Sequence, residues 1–153
     1  MKYWLIKNEP DCYSIDDLKR DKVEIWDGVR NYQVRNMMRN DMKKGNAAIF
    51  YHSNAGKETG AVGVMTICKE AYVDPTQFDP KSEHPDPKSS RDNPRWLAVD
   101  VRYKKKLKRL VSLQEMKEVK ALHGMKILQK GNRLSITPIT KTEFDKIVAL
   151  SEK

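Results

Sequence analysis

The chain has 153 residues, with 30 Lys and Arg against 21 Asp and Glu, a formal net charge of +9. That is the length of one domain, expected over residues 1–153, and it can bury roughly two-thirds of the unfolded chain's surface without disulfides or metal. No run of about 18 apolar residues occurs and Lys7 interrupts the N-terminal apolar stretch, which excludes a spanning helix and a signal-peptide core; an intracellular protein is expected, cytoplasmic in a bacterium.

Residues 3–7 (Tyr-Trp-Leu-Ile-Lys) form an aromatic and branched run stopped by Asn8-Glu9-Pro10, which predicts a strand entering a turn. Ser14-Ile15-Asp16-Asp17 has the pattern of a capped helix start, and residues 23–26 that of a second short strand ending at Asp27-Gly28. From Asn31 to Met42 the apolar residues Val34, Met37, Met38 and Met42 recur at helical spacing, with Gly45 as the stop. Arg35, Arg39 and Lys43 then lie four apart on another face of that helix.

Residues 47–53 and 61–73 are strand-like and joined by a polar connection, which predicts a β-hairpin in which Gly60 and Gly63 mark a bulge or a close approach. Residues 74–95 hold five of the seven prolines and almost no apolar side chain besides Phe78, so a long surface loop, functional or mobile, is expected. Alternation over residues 96–103 predicts a strand with one buried face. Ser112-x-x-Glu115 and Thr140-x-x-Glu143 read as capping boxes, and residues 133–136 as a last strand before Thr137-Pro138. Strands and short helices mix without a βαβ rhythm, so the expected fold is α+β, a small, partly open barrel of mixed strands surrounded by short helices.

Charge is unevenly placed. Residues 9–27 are net acidic, whereas Arg30, Arg35, Arg39, Lys43 and Lys44 form one basic cluster and Arg102, Lys104, Lys105, Lys106, Lys108 and Arg109 another. Concentrated positive charge attracts polyanions, nucleic acid above all. For residues 102–109 the competing reading is a solvated edge strand protected from aggregation. Cys12 and Cys68 form no CxxC and share no ligand spacing with His52, His84 and His123, so no metal, cofactor or redox site is expected. GxSxG, GxxxxGK and HExxH are absent, and no pair of carboxylates is marked for catalysis.

Aromatic residues recur beside polar and cationic ones: Trp4, Trp26, Tyr32, Tyr51 and Trp96 near Lys7, Arg30, Asn31, Gln33, His52 and Ser53. A planar base needs a stacking face, worth about 1–3 kcal/mol, and donors and acceptors for its edge. The competing reading is that the rings fill a small core.

The blocks Tyr3-Trp4-Leu5-Ile6-Lys7-Asn8-Glu9-Pro10, Trp26-Asp27-Gly28-Val29-Arg30-Asn31-Tyr32-Gln33-Val34-Arg35-Asn36 and Phe50-Tyr51-His52-Ser53 resemble, in order, those of the EVE domain family. Gly60-Ala61-Val62-Gly63-Val64, Pro94-Arg95-Trp96 and Arg133-Leu134-Ser135-Ile136-Thr137-Pro138 continue the resemblance over nearly the whole chain. It implies a PUA-like fold related to the YTH readers of N6-methyladenosine, and a non-enzymatic module that flips a modified nucleobase, chiefly a modified cytosine in DNA, into an aromatic and polar pocket. The implied pocket is lined by Lys7, Asn8, Trp26, Val29, Arg30, Asn31, Tyr32, Tyr51, His52, Ser53 and Trp96, with Arg133 and Ser135 at its margin. Arg35, Arg39, Lys43, Lys104, Lys105, Lys106 and Lys108 are expected on phosphates. The expected partner is nucleic acid with modified bases, DNA before RNA, bound by a monomer; the alternatives are an RNA-binding domain of the same fold or a small hydrolase of nucleosides or amides.

Overall fold

A computed structural model describes all of residues 1–153. Its frame is one six-stranded mixed sheet in the order β2-β5-β4-β3-β1-β6, formed by β1 (Tyr3–Asn8), β2 (Val23–Trp26), β3 (Ala47–His52), β4 (Gly60–Val73), β5 (Leu97–Ser112) and β6 (Ile136–Ile139). Only β1 and β3 pair in parallel, from Tyr3 opposite Ala47 to Asn8 opposite His52. The sheet does not close, and β2 and β6 remain its edges.

Both faces of the sheet are covered. Along a strand successive side chains point to opposite sides, so Trp4, Ile6, Ala48 and Phe50 enter one core and Leu5, Ile49 and Tyr51 the other. The first core is closed by α1 (Ile15–Asp21), through Ile15 and Leu18, and by α2 (Tyr32–Asn40), through Val34 and Met38. The second is closed by Met116 of α3 (Leu113–Lys117) and by Ile147 and Leu150 of α4 (Lys141–Ser151).

The helix starts follow the capping chemistry of the sequence. Ser14 and Asp17 cap α1 reciprocally, and Thr140 and Glu143 cap α4 in the same way. At α3 only half the expected box forms: the Ser112 hydroxyl accepts the Glu115 N–H at 3.1 Å, while the Glu115 carboxylate turns away to Arg109 at 2.7 and 2.8 Å. A bidentate guanidinium is a stronger partner for a carboxylate than one backbone amide.

Two expectations need correction. The strand predicted over residues 96–103 continues as β5 to Ser112, because β4 pairs with it along that length. Irregular register between β4 and β5, including the step from Ala61 opposite Val111 to Gly63 opposite Lys106, bends the ribbon. At Gly63 a side chain would meet Ile15 of α1 at 2.7 Å, so the glycine admits the helix against the strand. The last strand is Ile136–Ile139 rather than 133–136; Pro138, opposite Trp4, is tolerated because β6 is an edge.

The proline-rich segment, expected as a functional or mobile loop, is pinned from within. Pro75–Phe78 forms a short 3₁₀ turn, and the buried Gln77 side chain donates to the carbonyls of Asp74 and Trp96 while accepting from the Arg95 and Trp96 amides and the Ser89 hydroxyl. Replacing Gln77 with Met keeps the volume and removes those partners. With each unsatisfied buried group costing about 1–3 kcal/mol, Gln77→Met is expected to lower unfolding free energy by about 2–4 kcal/mol in urea titrations.

Candidate nucleic-acid interface

A cavity of about 430 Å³ opens beside the ends of β1 and β2. Asn8 and Glu9 contribute from the end of β1, Cys12 and Tyr13 from the turn before α1, Glu24, Ile25, Trp26 and Asp27 from β2 and its exit, and Glu83 and His84 from the proline-rich segment. Trp26 stands between the cavity and the first core, meeting Tyr13 and Phe50 edge to face with ring centroids 6.4 and 5.5 Å away. The lining holds four carboxylates, Glu9, Glu24, Asp27 and Glu83, and neither lysine nor arginine. In a chain of net charge +9 this is an acidic enclave.

Its far wall is held by a polar clamp. Asp74, fully buried, accepts from the Gly28 amide at 2.8 Å, from Arg30 Nη1 at 3.0 Å and from the Thr76 amide and hydroxyl at 2.8 and 2.6 Å. Burial alone would push its carboxyl up, but these hydrogen bonds outweigh that and hold it below the ordinary value. Arg30 also donates to the Val29 and His84 carbonyls and to the Thr76 hydroxyl. Gly28 has φ +79°, and a side chain there would strike the His84 ring at 2.7 Å. The glycine thus lets the His84 ring approach the backbone closely at the cavity wall.

A second cleft, about 400 Å³, lies on the other side of the turn that follows β1. Pro10, Ser14, Ile15, Asp16, His52, Ala55, Glu58 and Val62 line it opposite Lys106, Leu107, Lys108, Arg109 and Leu110 from the bent part of β5. One short segment therefore serves both clefts: Glu9, Cys12 and Tyr13 face the acidic cavity, and Pro10, Ser14 and Ile15 the basic groove. In the groove the Ile15 N–H donates to His52 Nε2 at 3.1 Å, so that nitrogen is unprotonated and the ring neutral. Burial, aided by Lys106 and opposed by Asp16 and Asp17, holds the His52 pKa below its ordinary 6.5.

Of the pocket residues expected from sequence, Asn8 and Trp26 line the cavity and His52 lines the groove. The others are brought together in neither cleft. Tyr51 is in the second core, on the opposite face of the sheet, because it is one residue out of phase with Phe50 and His52. Val29 is buried in the first core, and Arg30 is committed to the clamp. Asn31 caps α2, its Oδ1 accepting the Val34 N–H at 3.0 Å. Trp96 is 5% exposed, donates its Nε1–H to Asp86 at 2.7 Å and is stacked by the exposed Tyr32 ring at 4.7 Å. Lys7 pairs beside Tyr51 and is half-buried, which lowers its pKa. Ser53 and Ser135 bond through their backbones, to the Asn8 carbonyl and the Lys7 amide, and Arg133 is exposed in neither cleft.

The expected phosphate residues divide as well. Lys106 and Lys108 line the basic groove, where Lys106 meets Asp16 at 2.9 Å. Lys104 and Lys105 instead face α4, beside Phe144 and Val148. Arg35 is held by the Arg95 carbonyl and Asn36, Arg39 by Asn36 and Asn40, and Lys43 lies 3.9 Å from Glu70.

Sequence reasoning missed Glu9, Cys12, Tyr13, Glu24, Ile25, Asp27, Glu83 and His84. Most fall in the net-acidic stretch over residues 9–27, and that excess was the available signal. Those titratable side chains are not grouped to hold a metal ion.

These features define a class: a mixed-sheet α+β domain in which an acidic cavity and a basic groove share one wall. The EVE domain family model matches residues 2–150, and the chain belongs to that family. Human thymocyte nuclear protein 1 is 44% identical over 169 residues, covering 99% of this chain and 74% of that protein. The crystal structure of human THYN1 in complex with 5-methylcytosine-containing DNA superposes with a TM-score of 0.92 at 44% identity, covering 100% of this chain and 99% of that one. A Pseudomonas syringae protein of known structure gives a TM-score of 0.92 at 41% identity, with 97% and 99% covered. No helix of the chain is long and apolar enough to cross a membrane.

Because its folded-state pKa is depressed, His52 contributes stability that is present above about pH 6.5 and lost as pH falls through the lowered value. Wild type should therefore lose more of its urea midpoint between about pH 8 and about pH 5 than His52→Gln, whose side-chain carbonyl accepts the Ile15 N–H without titrating. Equal losses would place the acid sensitivity elsewhere.

Proposed function

We propose that the chain is a nucleic-acid-binding module that captures a modified cytosine from DNA in the acidic cavity and seats the flanking phosphates in the basic groove. The observation that carries this reading is the likeness, along the whole of this chain, to the structure of human THYN1 crystallised with 5-methylcytosine-containing DNA. The arrangement of charge supports it. Phosphates are repelled from a cavity lined by four carboxylates and attracted to Lys106, Lys108 and Arg109, while the uncharged base is the part of a nucleotide that enters without an ionic penalty. Extruding a base from its stack takes a few kcal/mol, offset by contact with Trp26 and Tyr13 and by hydrogen bonds to the lining.

Nucleophilic cysteine chemistry is disfavoured by the state of Cys12, the cavity's only thiol. Desolvation and the carboxylates of Glu9, Glu83 and Asp11 push its pKa up, so the group is a thiol and not the nucleophilic thiolate.

Fluorescence-anisotropy titrations of oligonucleotides carrying 5-methylcytosine or cytosine, at several salt concentrations, test the reading. Wild type is expected to prefer the methylated oligonucleotide. On duplex DNA the log–log salt slope should flatten by about 2 in Lys106→Glu/Lys108→Glu, since each phosphate contact contributes about 0.9. Lys104→Glu/Lys105→Glu, on the α4 side, should change the slope far less. Equal flattening by the two double variants would move the phosphate path out of the groove, and no preference for the methylated base would remove the reading that the base is a modified cytosine.

A further inference from the structure

The hydrogen-bonding groups left free in the cavity define which edge of a base it reads. Two of the four carboxylates are engaged: Glu9 accepts from Asn54 and from the Cys12 thiol, the latter at 3.7 Å, and Glu24 accepts the Ile25 N–H at 2.8 Å. Glu83 comes from the proline-rich segment on the far wall, whereas Asp27 directly follows the aromatic wall residue Trp26. The Asp27 carboxylate takes no hydrogen bond from any other residue; desolvation and the neighbouring Asp74 push its pKa above the ordinary carboxylate value, and Arg30 opposes them. On the other side, Asn8 Oδ1 accepts the Glu9 N–H at 2.8 Å. That bond fixes the orientation of the Asn8 amide and leaves both Nδ2 hydrogens free. Beside Trp26 the cavity therefore offers an anionic acceptor and a neutral donor.

A cytosine-type base has the matching edge, an exocyclic amino donor next to ring-nitrogen and carbonyl acceptors. A thymine-type base of the same shape turns a carbonyl oxygen where the amino group would be. Building on the proposal that this cavity receives a base, we propose that Asp27 is the residue that selects it. Its carboxylate accepts a hydrogen bond from the exocyclic 4-amino group while Asn8 Nδ2 donates to the ring nitrogen or carbonyl, and 4-oxopyrimidines are rejected because carbonyl oxygen and carboxylate repel. The 5-methyl group plays no part in this choice, since 5-methylcytosine and thymine both carry it. Shape and stacking are equal for the two, so any difference reports the edge alone, and a site built to hydrogen-bond one group discriminates strongly against its absence.

Three labelled oligonucleotides, identical except for 5-methylcytosine, thymine or an abasic residue at one position, are titrated with wild type, Asp27→Asn and Asp27→Ser at one salt concentration near pH 7.5. Wild type is expected to hold the 5-methylcytosine oligonucleotide about tenfold or more tighter than the thymine one. In Asp27→Asn the ratio should fall to about twofold or below, because an amide nitrogen can donate to the thymine oxygen. Asp27→Ser should also lose the preference. The Asp27 side chain makes no hydrogen bond to another residue and its desolvated charge is disfavoured in the fold, so both variants should melt no lower than wild type. Thymine held as tightly as 5-methylcytosine by wild type, with both above the abasic oligonucleotide, overturns the role of Asp27 and leaves the base in the cavity. So does a preference that survives in both variants. An abasic oligonucleotide bound as tightly as 5-methylcytosine shows that no base enters, and removes the base-capture reading along with this one.

Discussion

The buried carboxylate of Asp74 is the point on which the functional half of the molecule depends. It lies at the exit of β4, and its partners are Gly28 and Arg30 from the turn after β2 and Thr76 from the proline-rich segment. A buried carboxylate without partners would be costly and would take up a proton; with four hydrogen bonds it stays ionised and fixes whatever donates to it. The Trp26–Arg30 turn is thereby tied to the proline-rich segment, and Glu83 and His84 are presented to Asp27 and Trp26 across the cavity.

The sheet explains why the two clefts adjoin. Parallel pairing of β1 and β3 brings Asn8 level with His52, and the turn leaving β1 must then pass between β2 on one side and the bent β5 on the other. Acidic residues travel with the turn and β2, and basic residues with β5. Segregation of charge along the sequence thus becomes segregation across a single wall in space.

Much of the fold was legible because its signals are local. The caps at Ser14 and Thr140, the period of α2, the aromatic and branched run of β1 and the alternation in β5 each depend on residues within a few positions of one another. The end of β6 was misplaced because Pro138 breaks the usual rule for strands, and only an edge position, a property of the whole sheet, permits it there. The site was less legible for a related reason. Tyr51, Trp96, Arg30 and Asn31 have the composition of a binding pocket, but strand phase, a stacking partner, a buried carboxylate and a helix N-terminus had already engaged them. Glu83 and His84 reach the cavity only through the long-range clamp, which no local pattern announces.

The single wall between cavity and groove has a consequence for what can compete for the site. A nucleoside alone reaches the acidic side and forgoes the attraction of Lys106 and Lys108. A mononucleotide brings its one phosphate close to the carboxylates that line the cavity. Only a polymer has phosphates on either side of the extruded base that can run along the groove while the base crosses the wall. In the proposed mode the domain thus acts as a filter for chain over monomer, and the nucleotide pool that bathes it is excluded by electrostatics and not by size.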